Sequence, residues 1–305
     1  MVLCRSLVTT VLLASFFGRS IPYSQKELFD EGTCGVRLLE FASEAKRIVG
    51  GWVSSPGAWP WQVALLLKGE QTCGGSLISL EWVVSAAHCF AGSSLSKDPR
   101  DWTVTLGEHH LKKVDWFEQT RDVQAILLHP KYKEAQSVVS DGEINTIAPD
   151  YDIAVLRLKT PAILDSFVSP ICLLPSGVHF PSGKECYVTG WGHTRWRGPK
   201  PDILRETVVK LVHQEKCNRE ESYGGAIHNR ALCAGFEVGG VDACQYDSGG
   251  PLACEYDGQW YLTGVVSWGH NCGQPHKYGV YADMQIMQGW VKGVINQYET
   301  DQETQ

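Results

Sequence analysis

The chain has 305 residues, 43% hydrophobic and 20% charged, so a large core can be buried and disordered or fibrous classes are excluded. A formal net charge of −7, from 27 basic and 34 acidic residues, argues against an electrostatic nucleic-acid binder and favours cationic partners. The 11 cysteines are too many for an ordinary cytosolic protein and odd in number, and no C-x-x-C, zinc-finger or H-E-x-x-H spacing makes metal ligands of them.

In chain order, residues 1–20 carry Arg5, then an apolar run from Leu7 through Phe17. They read as a secretory signal peptide, since the run is short and Arg19 interrupts it. The expected localisation is secreted and extracellular, with no membrane span. Residues 21–47 read as a propeptide or light chain of mixed charge, with one cysteine, Cys34. They end in Lys46-Arg47 directly before the apolar Ile48-Val49-Gly50-Gly51, which suits proteolytic processing.

From Ile48 short β-rich runs recur between turn signals, at 62–67, 82–86, 153–158, 187–191, 261–268 and 279–282. The best hairpin joins 252–256 to 259–263 through Asp257-Gly258, a pair suited to a type I′ turn. Two stretches, 91–101 and 135–150, read as long polar loops, which in compact domains are either disordered or shape a binding site. Met287, Trp290, Val291, Val294, Ile295 and Tyr298 lie on one helical stripe. Residues 299–305 read as a flexible acidic tail. Many strands and one terminal helix predict an all-β fold, and a pair of barrels with a cleft between them suits the length of 48–298.

Three short segments carry chemistry. Ala86-Ala87-His88-Cys89 sets a histidine after an apolar strand, and Asp152-Ile153-Ala154-Val155-Leu156 sets a carboxylate before one. Asp247-Ser248-Gly249-Gly250 sets a serine in a glycine turn. Each alone is commonly structural. Together they supply a nucleophile, a base that can take its proton, and a carboxylate that orients the base.

With these motifs the span from Ile48 to about Tyr298 resembles the trypsin/chymotrypsin-like serine endopeptidases. The same order of matches includes Trp59-Pro60-Trp61-Gln62-Val63, Cys73-Gly74-Gly75-Ser76-Leu77-Ile78, Thr189-Gly190-Trp191-Gly192 and Val266-Ser267-Trp268-Gly269. The resemblance implies two Greek-key six-stranded β-barrels with the active site between them. It implies His88 as general base, Asp152 as its orienting carboxylate and Ser248 as nucleophile, with oxyanion donors at Tyr246 and Ser248. It places Asp242 at the base of the primary pocket, with Ala243, Gln245, Ser267, Trp268, Gly269 and Gly279 around the substrate. A buried carboxylate there calls for a cationic partner, hence cleavage after Arg or Lys. Ala243 offers no hydroxyl to an ammonium, which favours Arg.

The resemblance further implies a zymogen cut at Arg47-Ile48 by a trypsin-like protease or by itself, the new Ile48 amine pairing with Asp247. It pairs Cys73 with Cys89, Cys186 with Cys254, Cys217 with Cys233 and Cys244 with Cys272. Cys172 and Cys34 are left to tether the light chain, while Cys4 leaves with the signal peptide.

The departures matter as much. Tyr246 stands where most relatives have glycine, so a catalytically weak homologue acting by binding is the alternative reading; otherwise the ring narrows the range of substrates and protein inhibitors. Tyr278 accompanies sodium-responsive members. The 108–118 loop resembles trypsin's calcium loop, with Glu108, Asp115 and Glu118 as oxygen donors, although Lys112 and Lys113 oppose a cation. No cofactor is required, and no Asn-x-Ser/Thr sequon is present.

Overall fold

A computed structural model of the chain describes residues 34–39, 51–92, 95–140 and 143–304. The expected signal peptide 1–20 and the expected activation residues Arg47 and Ile48 lie outside the described residues. In chain order the first half forms β1 (Trp52–Val53), β2 (Gln62–Leu67), β3 (Glu70–Leu77), β4 (Trp82–Ser85), β5 (Trp102–Leu106), β6 (Gln119–Leu128), β7 (Gln136–Ser140), β8 (Glu143–Ile147) and β9 (Ala154–Leu158). The second half forms β10 (Cys172–Leu173), β11 (Glu185–Gly190), β12 (Arg205–Val212), the short α1 (Gln214–Cys217), β13 (Ala231–Ala234), β14 (Pro251–Tyr256), β15 (Gln259–Trp268), β16 (Gly279–Asp283) and α2 (Met284–Glu303).

Both halves are closed antiparallel barrels of six strands. The first closes in the order β2-β3-β4-β9-β6-β5. The second runs β12-β11-β14-β15-β16-β13 and closes through β13 pairing with β12. Closure leaves the barrel strands without a long open edge, which suits a sequence of many short strands. Trp61, Trp82, Trp102 and Trp191 are fully buried and anchor the main core. Asp257 and Gly258 both take positive φ, 52° and 79°, and Tyr256 pairs with Gln259, as a two-residue primed turn requires.

Two expectations are corrected. The stretch 135–150 is not all loop, because β7 and β8 pair along it as a hairpin. Its Val138, Val139, Ile144 and Ile147 supply the β-branched residues that the polar composition obscured. The expected flexible tail instead begins inside α2. Glu299 accepts the Trp82 indole N–H at 3.0 Å and pairs with Arg157, so it holds the helix end to the first barrel. Met287, Val291 and Ile295 from the apolar stripe are buried, with Trp290, Val294 and Tyr298 packed beside them.

Candidate active site

Strand pairing brings His88 and Asp152 together. Ser85 at the end of β4 pairs with Ala154 at the start of β9. His88 lies just past the first strand, in a single 3-10 turn, and Asp152 just before the second. The His88 backbone N–H donates to Asp152 Oδ1 at 2.9 Å, and its Nδ1 lies 2.7 Å from Asp152 Oδ2. From the second barrel the Ser267 hydroxyl also donates to Asp152 Oδ2, at 2.5 Å. Burial raises the Asp152 pKa, but the His88 charge, its hydrogen bonds and Ser267 outweigh that and hold the carboxyl below its ordinary value. Burial lowers the His88 pKa, yet the Asp152 charge and hydrogen bond prevail and raise it above 6.5.

The serine turn reaches the same place from β14. Gly249, at φ 80°, is pressed against the first barrel, where a Cβ would fall 2.1 Å from Ser85 Oγ and 2.6 Å from the Gly74 carbonyl oxygen. The Ser248 carbonyl accepts the Gly74 N–H at 2.8 Å. Only glycine permits this approach, so the turn carries Ser248 to the seam where β4 delivers His88.

Tyr246 is the unusual member. Its φ is 78°, a left-handed value costly for a tyrosine. The peptide before it is trans, and its Gln245 carbonyl accepts the His193 N–H at 2.9 Å. A trans peptide points its N–H opposite to its carbonyl, so the Tyr246 N–H faces away from His193. Among the described residues neither the Tyr246 nor the Ser248 N–H has an acceptor.

Ser248 lines one cavity with Ala243, Gln245, Ser267, Trp268 and Gly269. Asp242 does not line this cavity but lies behind its Gly269, where a Cβ would fall 3.7 Å from Asp242 Oδ2. Oδ2 accepts the Gly273 N–H at 3.1 Å, while Oδ1 is covered and takes no hydrogen bond among the described residues. Burial pushes the Asp242 carboxyl up to about 7 against the pull of its backbone donors. A covered, unpaired carboxylate oxygen calls for a cation. Asp247 is a second buried carboxylate. It accepts the Gly192 N–H at 2.6 Å and the Cys244 N–H at 2.9 Å, and burial pushes it up to about 6. A separate cavity is lined by both carboxylates, Asp242 and Asp247, with Gly190, Gly192, Arg205 and Glu206.

Disulfides join Cys73 to Cys89, Cys186 to Cys254, Cys217 to Cys233, Cys244 to Cys272, and Cys34 to Cys172. Cys73 and Cys89, which flank His88, are therefore not free to ligate a metal.

The loop of Glu108, Asp115 and Glu118 fits calcium only in part. Glu108 is pushed up to about 8, first by burial and then by the neighbouring Glu118 charge, as in a carboxyl pair that a cation would relieve. Asp115 is taken up differently, since Lys113 Nζ lies 2.8 Å from Oδ1 and His110 Nδ1 lies 2.6 Å from Oδ2. Tyr278 is buried, its carbonyl holds the Tyr223 hydroxyl at 2.6 Å, and the Lys277 ammonium binds the Ser222 carbonyl nearby. A sodium ion fits poorly beside that ammonium.

Contacts of single side chains escaped the sequence. The Ser267 hydroxyl serves Asp152 as well as the cavity. Arg230 makes a two-point ion pair with Asp150, at 2.8 and 2.6 Å, and bridges the barrels beside Asp152. Gln71 and Lys200 close on Tyr246. None of these sits in a recognisable spacing, so no local signal marks them.

A family model described as Trypsin matches residues 48–291. Transmembrane protease serine 5 of Homo sapiens is 40% identical over 261 residues, which is 85% of this chain and 52% of that protein. Transmembrane protease serine 7 of Mus musculus is 42% identical over 250 residues, 80% of this chain and 28% of that protein. Serine protease 41 of Homo sapiens is 38% identical over 276 residues, 87% of this chain and 80% of that protein. The chain thus spans about half or less of the two transmembrane relatives. Among the described residues no helix is long and apolar enough to cross a membrane.

Proposed function

The chain belongs to the trypsin family of serine proteases, and from that premise we propose that it is a secreted endopeptidase, made as a zymogen, that cleaves after Arg and, less well, Lys. The observation that supports the reading is the His88–Asp152 hydrogen bond at the barrel seam, with the Ser248 carbonyl against Gly74 and the neighbouring Cys89, and with the unpaired Oδ1 of Asp242 behind the Gly269 that lines the Ser248 cavity.

In this reading the substrate's Arg guanidinium pairs with Asp242, and its carbonyl lies over Ser248. Ser248 Oγ attacks the carbonyl carbon while His88 Nε2 takes the hydroxyl proton. Asp152 holds the Nδ1 proton and stabilises the imidazolium, and Ser267 keeps the carboxylate in place. The Tyr246 and Ser248 N–H groups receive the oxyanion, a contribution of about 3–4 kcal/mol for each donor. His88 then gives its proton to the departing amine. Water, deprotonated by His88, releases the acyl group and restores the serine.

Activation at Arg47-Ile48 frees an amine that neutralises Asp247, whose burial makes it receptive to a cation. The preference for Arg over Lys follows from Ala243, which offers no hydroxyl to an ammonium. The Tyr246 ring, 40% exposed, crowds the leaving-group side and narrows the range of substrates and protein inhibitors.

Tyr246 is also the one feature favouring a catalytically weak binding homologue, but its unpartnered N–H supports the active reading. The deciding experiment cleaves recombinant zymogen at Arg47-Ile48, then measures Arg-peptide hydrolysis and labelling by a fluorophosphonate. Turnover, with labelling lost in Ser248→Ala, is expected. No turnover and no labelling of the cleaved parent would favour the binding homologue.

A further inference from the structure

Tyr246 pays a conformational cost that glycine would not, yet its two neighbouring peptides are both tied down. The Gln245 carbonyl is held by the His193 N–H at 2.9 Å. The Tyr246 carbonyl accepts Nε2 of Gln71 at 3.1 Å. Gln71 is itself buried on β3, and its Nε2 also donates to the Cys73 carbonyl of the same strand at 3.0 Å, so its side chain is held in place. The ring, though partly exposed, is held too. The Lys200 ammonium lies 4.3 Å from the Tyr246 ring centroid and donates to the Gln71 carbonyl at 2.7 Å. Gln71, Tyr246 and Lys200 therefore form a closed set of contacts, and the His193 ring, 5.1 Å away, bounds its other side.

We propose that Gln71 and Lys200 are positioning residues that hold Tyr246 in its left-handed conformation, so that its N–H faces the carbonyl under attack. The inference rests on the serine-endopeptidase reading and adds to it the device by which a tyrosine stands where glycine is usual. With both flanking carbonyls pinned, the orientation of the Tyr246 N–H is set. Gln71 fixes one carbonyl directly. Lys200 acts through the ring, by cation–π attraction, and through Gln71. If the set opens, a tyrosine relaxes toward negative φ and turns its N–H away. A glycine has no such tendency, because positive φ costs it little. The substrate's cationic side chain goes to Asp242 in either case, so ground-state binding is left almost untouched.

The test is a double-mutant cycle in the full, activated enzyme. Lys200→Met and Gln71→Met are each made alone and combined with Tyr246→Gly. Each single variant is expected to lose about tenfold in kcat for an Arg-amide substrate, with KM changed by less than about twofold. Affinity for a peptidyl-arginine aldehyde, whose adduct uses the oxyanion donors, should fall in parallel. Affinity for an arylamidine, which needs only the Asp242 pocket, should stay constant and reports an intact fold. Adding Lys200→Met or Gln71→Met to Tyr246→Gly should then cost less than about twofold. Equal losses in the Tyr246 and Tyr246→Gly backgrounds, or no loss in either, would overturn the proposal. A cleaved parent that neither turns over nor labels would overturn the endopeptidase reading instead.

Discussion

The bare α-carbon of Gly279 faces Asp242 so closely that a Cβ there would fall 2.3 Å from Oδ1. The glycine on β16 thus keeps open the space around a carboxylate oxygen that has no partner of its own. At Gly269 a Cβ would fall an ordinary 3.7 Å from the other oxygen, Oδ2.

Selectivity for Arg should therefore depend on both residues. Removing one partner of a buried charge pair costs about 3–5 kcal/mol, so Asp242→Ser should lower kcat/KM for Arg substrates by about 100-fold or more. Gly279→Ala forces the carboxylate aside and should lower it by about tenfold or more, mainly through KM. Steady-state kinetics with matched Arg and Phe peptides check this. A loss shared equally by the Phe peptide would contradict the assigned pocket.

The pH profile should show two groups in the free enzyme and one in the complex. His88 must be neutral to take a proton, and its pKa is raised above 6.5, so activity is lost as pH falls through that raised value. Asp242 must be charged to hold Arg, and its pKa is pushed up to about 7, so this too is lost as pH falls. Log kcat/KM should drop with a limiting slope of about two. Log kcat should drop with a slope of about one, because bound Arg keeps Asp242 ionised. A rate flat to about pH 5 would exclude His88 as the base.

The light chain should stay attached after cleavage at Arg47-Ile48. Cys34 is bonded to Cys172, the Gly35 N–H donates to the Pro170 carbonyl at 2.8 Å, and the Arg37 guanidinium lies 4.6 Å from a Trp59 ring centroid. One band is expected on non-reducing gels of activated enzyme, with a fragment from the light chain released on reduction. Under native reducing conditions Arg37→Ala should speed that release, since a half-buried cation–π contact contributes about 1–2 kcal/mol. Release from the intact enzyme without reductant would contradict the tether.

The end of α2 should matter for stability. Glu299→Ala removes an acceptor of the Trp82 indole and one of two acidic partners of Arg157, the other being Glu81. Loss of a charged hydrogen-bonding group costs about 1.5 kcal/mol, which lowers Tm by roughly 3–6 °C at this domain size. A thermal melt of the variant checks this, and an unchanged Tm would mean the helix end is dispensable.

Much of the fold was legible because its signals are local. A β-rich run between turn signals placed β2 at the expected 62–67, Asp257-Gly258 marked the β14–β15 hairpin, and the stripe from Met287 to Tyr298 marked α2. The polar residues of 135–150 hid β7 and β8, which pair only with each other and join neither barrel. Glu299 was misread as well. In sequence it is one acid in a polar tail, and only folding brings Trp82 and Arg157, 217 and 142 residues away, to it.

By itself the sequence determined the family and which residues form the candidate site, because serine, histidine, aspartate and their glycine turns lie in short ordered motifs. The tertiary structure decided how those residues are held. Ser267 reaches Asp152 across 115 positions, and Gln71 reaches Tyr246 across 175. Such contacts depend on barrel closure and on side-chain direction, and neither leaves a periodic trace in the chain. The reason a tyrosine can stand at 246 is of this kind: a left-handed backbone is costly locally, and only neighbours from distant strands and loops can offset it.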